Sequence, residues 1–135
     1  MSKNRTDNPN IASDRIDSLE KDEIFVFGSN LEGKHLGGAA KAAYNKFGAQ
    51  WGVGVGLTGK SYAIPTMQGG VKTIKPYVDQ FIEYAKEHQD KKFLVTRIGC
   101  GIAGFKDEEI ASLFKKATSL KNVYLPISFL KVNKK

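Results

Sequence analysis

Residues 24–48 read IFVFGSNLEGKHLGGAAKAAYNKFG, which is the order strand, loop, helix. Four consecutive apolar residues, Ile24–Phe27, are typical of a strand that is covered on both faces of a sheet. Gly28 ends that run, and the loop that follows is polar. Apolar side chains then recur at the spacing of a helix lying on a sheet. These helical positions are Ala40, Ala43, Tyr44 and Phe47.

A second stretch repeats this order of elements. The apolar residues of 93–98 predict a strand, GCGIAGF at 99–105 is a glycine-rich loop, and a helix begins at Asp107. Three acids, Asp107–Glu109, stand where a helix N-terminus carries partial positive charge. The chain therefore contains two strand–glycine loop–helix junctions.

The remaining segments predict further strands at Ser61–Ile64 and Val123–Leu125 and a helix after Pro76. The segment 48–60 is too rich in glycine for regular structure. Strands that alternate with helices predict a three-layer α/β fold with a mixed, mainly parallel sheet. We expect a flexible leader over residues 1–18, one domain over 19–130 and a basic tail over 131–135.

Composition narrows the classes of function. The chain has 135 residues, of which 41% are hydrophobic, enough for one domain with a core. It shows neither a signal-peptide pattern nor an apolar run of about 20 residues, so a cytoplasmic location is expected. One Cys and two scattered His predict no disulfide framework, no metal site and no cofactor. The net charge of +7 favours an anionic partner, such as a phosphorylated ligand or nucleic acid.

The two glycine loops are the best candidates for a ligand site. Each joins the carboxyl end of a strand to the N-terminus of a helix, and that edge of an α/β sheet is where ligands bind. Free N–H groups at a helix N-terminus suit phosphate, and glycine permits its close approach. Two such loops on one edge suit a diphosphate. The alternative is that both are simply tight turns.

A third glycine motif is set aside. Residues 54–61 match the phosphate-binding pattern G-x-x-x-x-G-K-S. That pattern requires a strand before it and a helix beginning at the Lys-Ser pair. Here a helix precedes the motif, and Ser61–Pro65 follows it as a strand, so the match is interpreted as coincidence.

The segment LVTRIGCGIAGF, residues 94–105, resembles the second phosphate loop of macrodomains, in particular the terminal ADP-ribose protein glycohydrolase branch. LGGAAKAAYNKFG at 36–48 is similar to the first phosphate loop and helix of that branch. FGSN at 27–30 falls where many macrodomains end a strand with N-A-A-N, and SYAIPT at 61–66 falls at their ligand edge. A group of small bacterial and phage-type proteins has a similar pattern. The resemblance covers residues 22–125 in the right order.

The resemblance implies a macrodomain-like fold that binds ADP-ribose or a related nucleotide. By position, the implied ligand-binding residues are Gly28, Ser29, Asn30, Gly37, Gly38, Ala39, Gly99, Cys100, Gly101, Ile102, Ala103, Gly104 and Phe105. Phe105 would either stack on the ligand or anchor the loop to the core. The acid that reads adenine in this family lies on an extra N-terminal strand, for which Asp14 and Asp17 are the nearby options.

Catalysis has weaker support in these residues. The glycohydrolase branch has an acid where this chain has Ala103, and its lysine nucleophile falls near Lys46. The candidate catalytic residues are Asn30, His35 and Lys46, with His35 and Lys46 alternatively expected to be solvent-exposed surface residues. Cys100 is interpreted as a small side chain between two glycines rather than a nucleophile.

Three functions therefore remain open. The first is binding of ADP-ribose or a related nucleotide, with an ADP-ribosylated protein or nucleic acid as possible partner. The second is hydrolysis of an acyl- or base-linked ADP-ribose. The third is binding of nucleic acid by a small basic protein.

Overall fold

A computed structural model describes residues 3–35, 37–100 and 103–133. The strands are β1 (Arg5–Asp7), β2 (Asn10–Ala12), β3 (Glu23–Ser29), β4 (Gly56–Thr58), β5 (Ser61–Pro65), β6 (Lys92–Val95) and β7 (Val123–Pro126). The helices are α1 (Gly38–Lys46), α2 (Val71–Glu87), α3 (Asp107–Ala111), a 3₁₀ helix (Ser112–Ser119) and α4 (Ile127–Asn133).

Across the described residues, the strands form one sheet in the order β1-β2-β7-β6-β3-β5-β4. The five inner strands run parallel, and the edge strands β1 and β4 pair antiparallel with β2 and β5. The predicted α/β fold with a mixed, mainly parallel sheet is thus confirmed. β3 lies inside the sheet, with Phe25 opposite Ser61 on one side and Leu94 on the other.

The apolar run of β3 is buried on both faces of the sheet, as its lack of alternation predicts. Ile24 and Val26 pack into a large core with α2, α3, the 3₁₀ helix and α4. Phe25 and Phe27 face the opposite way and pack with Ala43 of α1. The period of two along a strand therefore sends alternate residues into different cores.

Both chain ends differ from the expected loose leader and basic tail. β1 and β2 join the sheet through β7, so residues 5–7 and 10–12 are strands of the sheet rather than part of a flexible leader. α4 follows β7 without a break, and the ring of Phe129 is fully buried 5.8 Å from that of Phe114. Leu130 and Val132 pack against the same core, so the apolar residues of this segment dock it as a helix.

Three internal boundaries also differ. Gly56–Thr58 is strand β4, because the glycines around it form the turns of a β4–β5 hairpin rather than breaking it. α2 begins at Val71 and includes Pro76, since Ile74 in its first turn is buried. The predicted third helix is only five residues of α-helix before it tightens into the 3₁₀ helix. In the described part of the chain, no helix is both long and apolar enough to cross a membrane.

A buried ion pair attaches the N-terminal strands to the sheet. Glu23 at the start of β3 is completely buried and accepts a hydrogen bond from the Arg5 Nε at 3.0 Å. The Arg5 guanidinium also lies 5.0 Å from the centre of the Tyr124 ring and bonds to Asp7 at 2.9 Å. Arg5 therefore connects β1 to β3 and β7, although β1 pairs only with β2 among the described strands.

We expect Arg5→Met to lower the free energy of unfolding by about 3 kcal/mol, because the Glu23 carboxylate then stays buried without its guanidinium partner. Urea unfolding followed by circular dichroism measures this. Arg15→Met is the matched control, since the Arg15–Asp17 pair is exposed and is expected to contribute less than about 0.5 kcal/mol. Equal losses in the two variants would show that the buried pair does not attach the N-terminal strands.

Candidate functional site

A cleft of about 630 Å³ opens at the carboxyl ends of β3, β5 and β6. Parallel strands bring these ends to one edge, where the loops to the helices begin. The described residues that line it are Ser13, Asp14, Gly28, Ser29, Asn30, Lys34, Gly37, Gly38, Ala39, Ala40, Thr66, Met67, Thr96, Arg97, Ile98, Gly99, Cys100, Ala103 and Pro126. Its volume lies within the range of small-molecule sites.

The two predicted junctions meet in this cleft. A Cβ placed on Gly28 would lie 3.4 Å from the backbone nitrogen of Gly99 and 3.2 Å from Oγ1 of Thr66. Thr66 after β5 and the turn at Gly99 after β6 therefore leave little room for a side chain at Gly28. A larger side chain at that position would push the strand ends apart.

The first loop is closed on itself by Asn30. The Asn30 side chain accepts a hydrogen bond from the backbone N–H of Lys34 at 2.9 Å and donates one to its carbonyl at 3.0 Å. The Ser29 hydroxyl donates to the carbonyl of Gly54, which fastens the end of β3 to the neighbouring loop. Asn30 borders the cleft, and both polar atoms of its amide shape the loop.

The N-terminus of α1 is open towards the cleft. Gly37 is the N-cap in extended conformation, no side chain of the described residues caps it, and no acid lies in the first turn. The intrahelical hydrogen bonds begin with the Lys41 N–H donating to the Gly37 carbonyl at 3.2 Å. The backbone N–H groups of residues 38–40 precede that bond, as expected for the first turn of a helix, and they border the cleft. This is an arrangement that attracts an anion.

The second loop turns sharply at Gly99. Its φ of +76° is in the left-handed region, and a Cβ there would lie 3.0 Å from Cδ1 of Ile110. The carbonyl of Gly99 accepts a hydrogen bond from the Phe105 N–H at 2.8 Å, which closes the loop. The positive φ therefore favours glycine at this position, and a side chain there would also require Ile110 to shift.

The N-terminus of α3, by contrast, is already occupied by the chain's own acids. The Glu109 carboxylate accepts the backbone N–H of Lys106 at 2.9 Å in a capping box. Asp107 forms two hydrogen bonds of 3.0 Å with the guanidinium of Arg97. That guanidinium holds the pKa of the Asp107 carboxyl below its usual value. Among the described groups, the second loop therefore offers backbone atoms and the half-exposed Arg97.

Cys100 lies between the cleft and Asp107 with its thiol protonated. Burial, followed by the hydrogen bond that the thiol donates to the Asp107 carboxylate, raises the pKa of Cys100 to about 11. A nucleophilic cysteine requires a lowered pKa. The structure therefore agrees with the interpretation of Cys100 as a small structural side chain.

Most of the predicted ligand-binding residues border the one cleft. Those among its lining are Gly28, Ser29, Asn30, Gly37, Gly38, Ala39, Gly99, Cys100 and Ala103. Gly101 and Ile102 lie outside the described residues. Gly104 and Phe105 are not among the described lining, and Phe105 packs against the main core. Of the two roles weighed for Phe105, the geometry favours anchoring the loop.

Two of the three candidate catalytic residues do not border the cleft in the described structure. The expectation that His35 is exposed is wrong, because its ring is only 2% exposed. The ring contacts Phe27, Tyr44 and Trp51, and its Nε2 lies 2.9 Å from the Gln50 carbonyl. Three aromatic neighbours stabilise the imidazole inside the protein.

Lys46 lies at the exposed C-terminal end of α1, whereas the cleft lies at its N-terminus. The nine residues of α1 make it about 13 Å long, so this lysine is far from the open N–H groups. Of the candidate catalytic residues, Asn30 therefore borders the cleft.

Sequence reasoning missed or left open several lining residues. Asp14 borders the cleft and Asp17 does not, a distinction that required knowing that β2 joins the sheet. Thr66 ends the segment SYAIPT, which the resemblance places at the ligand edge, but it was not singled out as a ligand-binding residue. Thr96 lies inside the strand predicted over 93–98 and borders the cleft because β6 ends at Val95. Lys34 offered no such signal, because loop lysines are usually solvated.

No group of three or more His, Cys, Asp or Glu residues in the described structure is arranged to hold a metal ion. Comparisons with family models, curated proteins and solved structures find no match to this chain. The chemistry of the cleft is therefore the basis for assigning a function.

The protonated state of Cys100 predicts slow thiol chemistry in the folded protein. At pH 8 its thiolate fraction is about a hundredfold smaller than that of a thiol with a pKa near 9. We expect the rate of reaction with a disulfide reagent to rise with pH towards about 11 in the folded chain. Asp107→Asn is expected to shift this profile to lower pH and to speed the reaction at pH 8.

Glu108→Gln is the control, because Glu108 neighbours Asp107 but is not among the causes that raise the pKa of the thiol. Its pH profile is expected to match that of the wild-type chain. A wild-type profile centred near pH 9 would contradict the hydrogen-bonded, protonated thiol.

Proposed function

We propose that this chain binds ADP-ribose, or a related nucleoside diphosphate, in the cleft between its two glycine-rich loops. The observation that carries the proposal is the meeting of both junctions in one cleft with the N-terminus of α1 open. Two glycine junctions that face one cleft suit two linked phosphates better than one. The resemblance to macrodomain phosphate loops points to the same ligand.

The diphosphate would lie against the start of α1. The N–H groups of residues 38–40 supply donors there, and the helix dipole favours negative charge. Lys34 lines the same cleft, on the loop that Asn30 closes, and its ammonium, which is paired with the exposed Glu32 at 3.1 Å, is a further cationic group beside the ligand. Arg97 remains about half exposed although it is paired with Asp107, so its guanidinium can still contact an anion.

The adenine would lie towards Asp14. This carboxylate follows β2 and borders the cleft, whereas the other acids of the N-terminal segment do not. A carboxylate accepts a hydrogen bond from the exocyclic amine of adenine and rejects a base with a carbonyl at that position. Asp14 is thus proposed as the residue that selects the base.

The arrangement of layers supports a macrodomain-like fold for the domain. α1 covers one face of β3, while α2, α3 and α4 contribute to the core on the other face. The proposed fold is therefore a three-layer α/β/α sandwich with its ligand at the carboxyl edge. The N-terminal strands belong to this fold rather than preceding it.

Binding is better supported than hydrolysis. His35 is enclosed by aromatic rings, Lys46 is at the opposite end of α1, and the amide of Asn30 is engaged in the loop. The second loop carries Ala103 where the related hydrolases have an acid. We therefore propose a ligand-binding module, with the cleft as its binding site.

The test is titration of the full chain with ADP-ribose, ADP and NAD by calorimetry, together with amide chemical shifts. We expect heat on binding of ADP-ribose and shifts of the amides of residues 37–40. Absence of heat with all three ligands at millimolar concentration would show that the ligand class is wrong.

Ala39→Glu distinguishes an effect on the stability of α1 from an effect on ligand binding. An acid in the first turn of α1 favours the helix through its dipole but repels a diphosphate at the same place. We expect ADP-ribose to bind at least tenfold more weakly to Ala39→Glu than to Ala39→Gln, which matches it in size without the charge. Equal affinities of two variants with equal melting temperatures would place the diphosphate elsewhere.

Asp14→Ala tests the recognition of the base. The loss of one charged hydrogen bond predicts about tenfold weaker binding of ADP-ribose. The analogue with hypoxanthine in place of adenine lacks the amine and is expected to bind both chains with similar affinity. Asp17→Ala is the matched control, since Asp17 pairs with Arg15 and is not among the residues that line the cleft. Equal weakening by both substitutions would mean that only general charge is lost.

A further inference from the structure

A pair of aromatic rings is exposed on a surface that the cleft does not use. The side chains of Tyr44 on α1 and Trp51 in the following loop are each about half exposed. Their ring centres lie 5.6 Å apart with the planes inclined by 67°. Tyr44 was predicted to belong to the buried stripe of α1, but the buried positions of this stripe are Ala43 and Phe47. Neither ring is among the described residues lining the cleft.

The two rings are held on a rigid base. Both contact the buried ring of His35, which in turn packs edge-on against Phe27 of the central strand at 5.5 Å. The loop that carries Trp51 is tied down on both sides, because the Gln50 N–H donates to Oγ1 of Thr58 and the Gly52 N–H donates to the Gly33 carbonyl. The rings are therefore presented in a fixed position, which limits the entropy lost when something binds them.

The sequence segment that carries these rings is positively charged. Residues 33–78 contain no Asp or Glu and have six lysines, of which Lys34 is paired with Glu32 at 3.1 Å and Lys75 with Asp79 at 2.7 Å. Lys41 and Lys46 are the lysines of α1, the helix that carries Tyr44. Lys41 stands three residues before Tyr44 on α1, so the two share a helix face. We call Lys41, Tyr44 and Trp51 the aromatic face. An acidic partner would be attracted to it, and a flat ring system could stack on it.

We propose that the aromatic face binds single-stranded nucleic acid. Bases stack on exposed Trp and Tyr rings, and phosphates are attracted to lysines beside them, which is the usual combination in proteins that bind single strands. Bases in a duplex are stacked on each other and cannot reach the rings, so an unpaired strand is the form that fits. This inference rests on the aromatic face and is independent of the ligand proposed for the cleft.

The chain has a natural probe for this interaction, because Trp51 is its single tryptophan. Titration of the wild-type chain with a 20-residue oligodeoxythymidylate is expected to quench the tryptophan fluorescence. A base that stacks on the indole of Trp51 is expected to quench its fluorescence, whereas nucleic acid that binds elsewhere on the protein leaves the fluorescence unchanged. A duplex of the same length is expected to quench it much less at the same concentration.

Variants are compared by the anisotropy of a fluorescein-labelled oligodeoxythymidylate. Trp51→Ala and Tyr44→Ala are each expected to weaken binding by about tenfold. Ile127→Ala is the matched control, because Ile127 is similarly exposed but lies on α4, and its affinity is expected to equal that of the wild type. Lys41→Gln is expected to lower the slope of log affinity against log salt by about 0.7.

Two results would overturn the proposal. One is equal affinity of the wild-type chain and Trp51→Ala, provided that thermal unfolding shows both to be folded. The other is equal quenching of Trp51 by polyglutamate or by inorganic polyphosphate at equal charge, because neither carries bases. The first result would show that nucleic acid does not bind at the aromatic face. The second would show that the aromatic face binds acidic polymers in general.

Discussion

The site depends on the double pairing of β3. This strand is hydrogen-bonded in parallel to β5 on one side and to β6 on the other, so the three carboxyl ends must lie at the same edge. Gly28 then lets them approach closely, since a Cβ there would lie 3.2 Å from Oγ1 of Thr66 and 3.4 Å from the nitrogen of Gly99. The core and the cleft therefore depend on the same pairing of β3 with β5 and β6. Apolar side chains along the strands form the core, and the lack of a side chain at Gly28 leaves the cleft open.

The N-terminal strands extend this edge, and an electrostatic interaction holds them. Arg5 reaches the buried Glu23 of β3, while β2 pairs with β7 over the two positions Ile11 and Ala12. So short a ladder provides few hydrogen bonds, which makes the buried guanidinium an important part of the attachment. Asp14 lies two residues after the end of β2, so its position beside the cleft depends on an interaction at the opposite end of β3.

Local sequence patterns predicted the α/β class and the buried strands. The N-terminal strands and the burial of His35 were not predicted, because they depend on contacts between residues far apart in the sequence. The mainly apolar runs Ile24–Phe27 and 93–98 predict buried strands, because a strand that is covered on both faces has apolar residues without alternation. Arg5 and Glu23 are 18 residues apart and their pairing leaves no periodic pattern in the sequence, so β1 and β2 were expected to be a loose leader. From the sequence, His35 was expected to be an exposed loop residue, because the aromatic residues that cover it, Tyr44 and Trp51, lie later in the chain. The positions of the two glycine junctions could be predicted from the sequence. The side chains that contact them could be identified only from the tertiary structure.

Equivalent sequence positions at the two junctions have different electrostatic roles. At α1 the first turn has no acid and no side-chain cap from the part of the chain that the structure describes, so its N–H groups and dipole remain available to a ligand. At α3 the side chain of Glu109 caps the helix, and Asp107 is bound to Arg97. A dianion in the cleft would therefore be attracted mainly from the α1 side, while the turn at Gly99 would contribute shape and backbone donors. Because Asp107 at the start of α3 also holds Arg97, that guanidinium is positioned beside the cleft before any ligand arrives, and less entropy is lost when one binds.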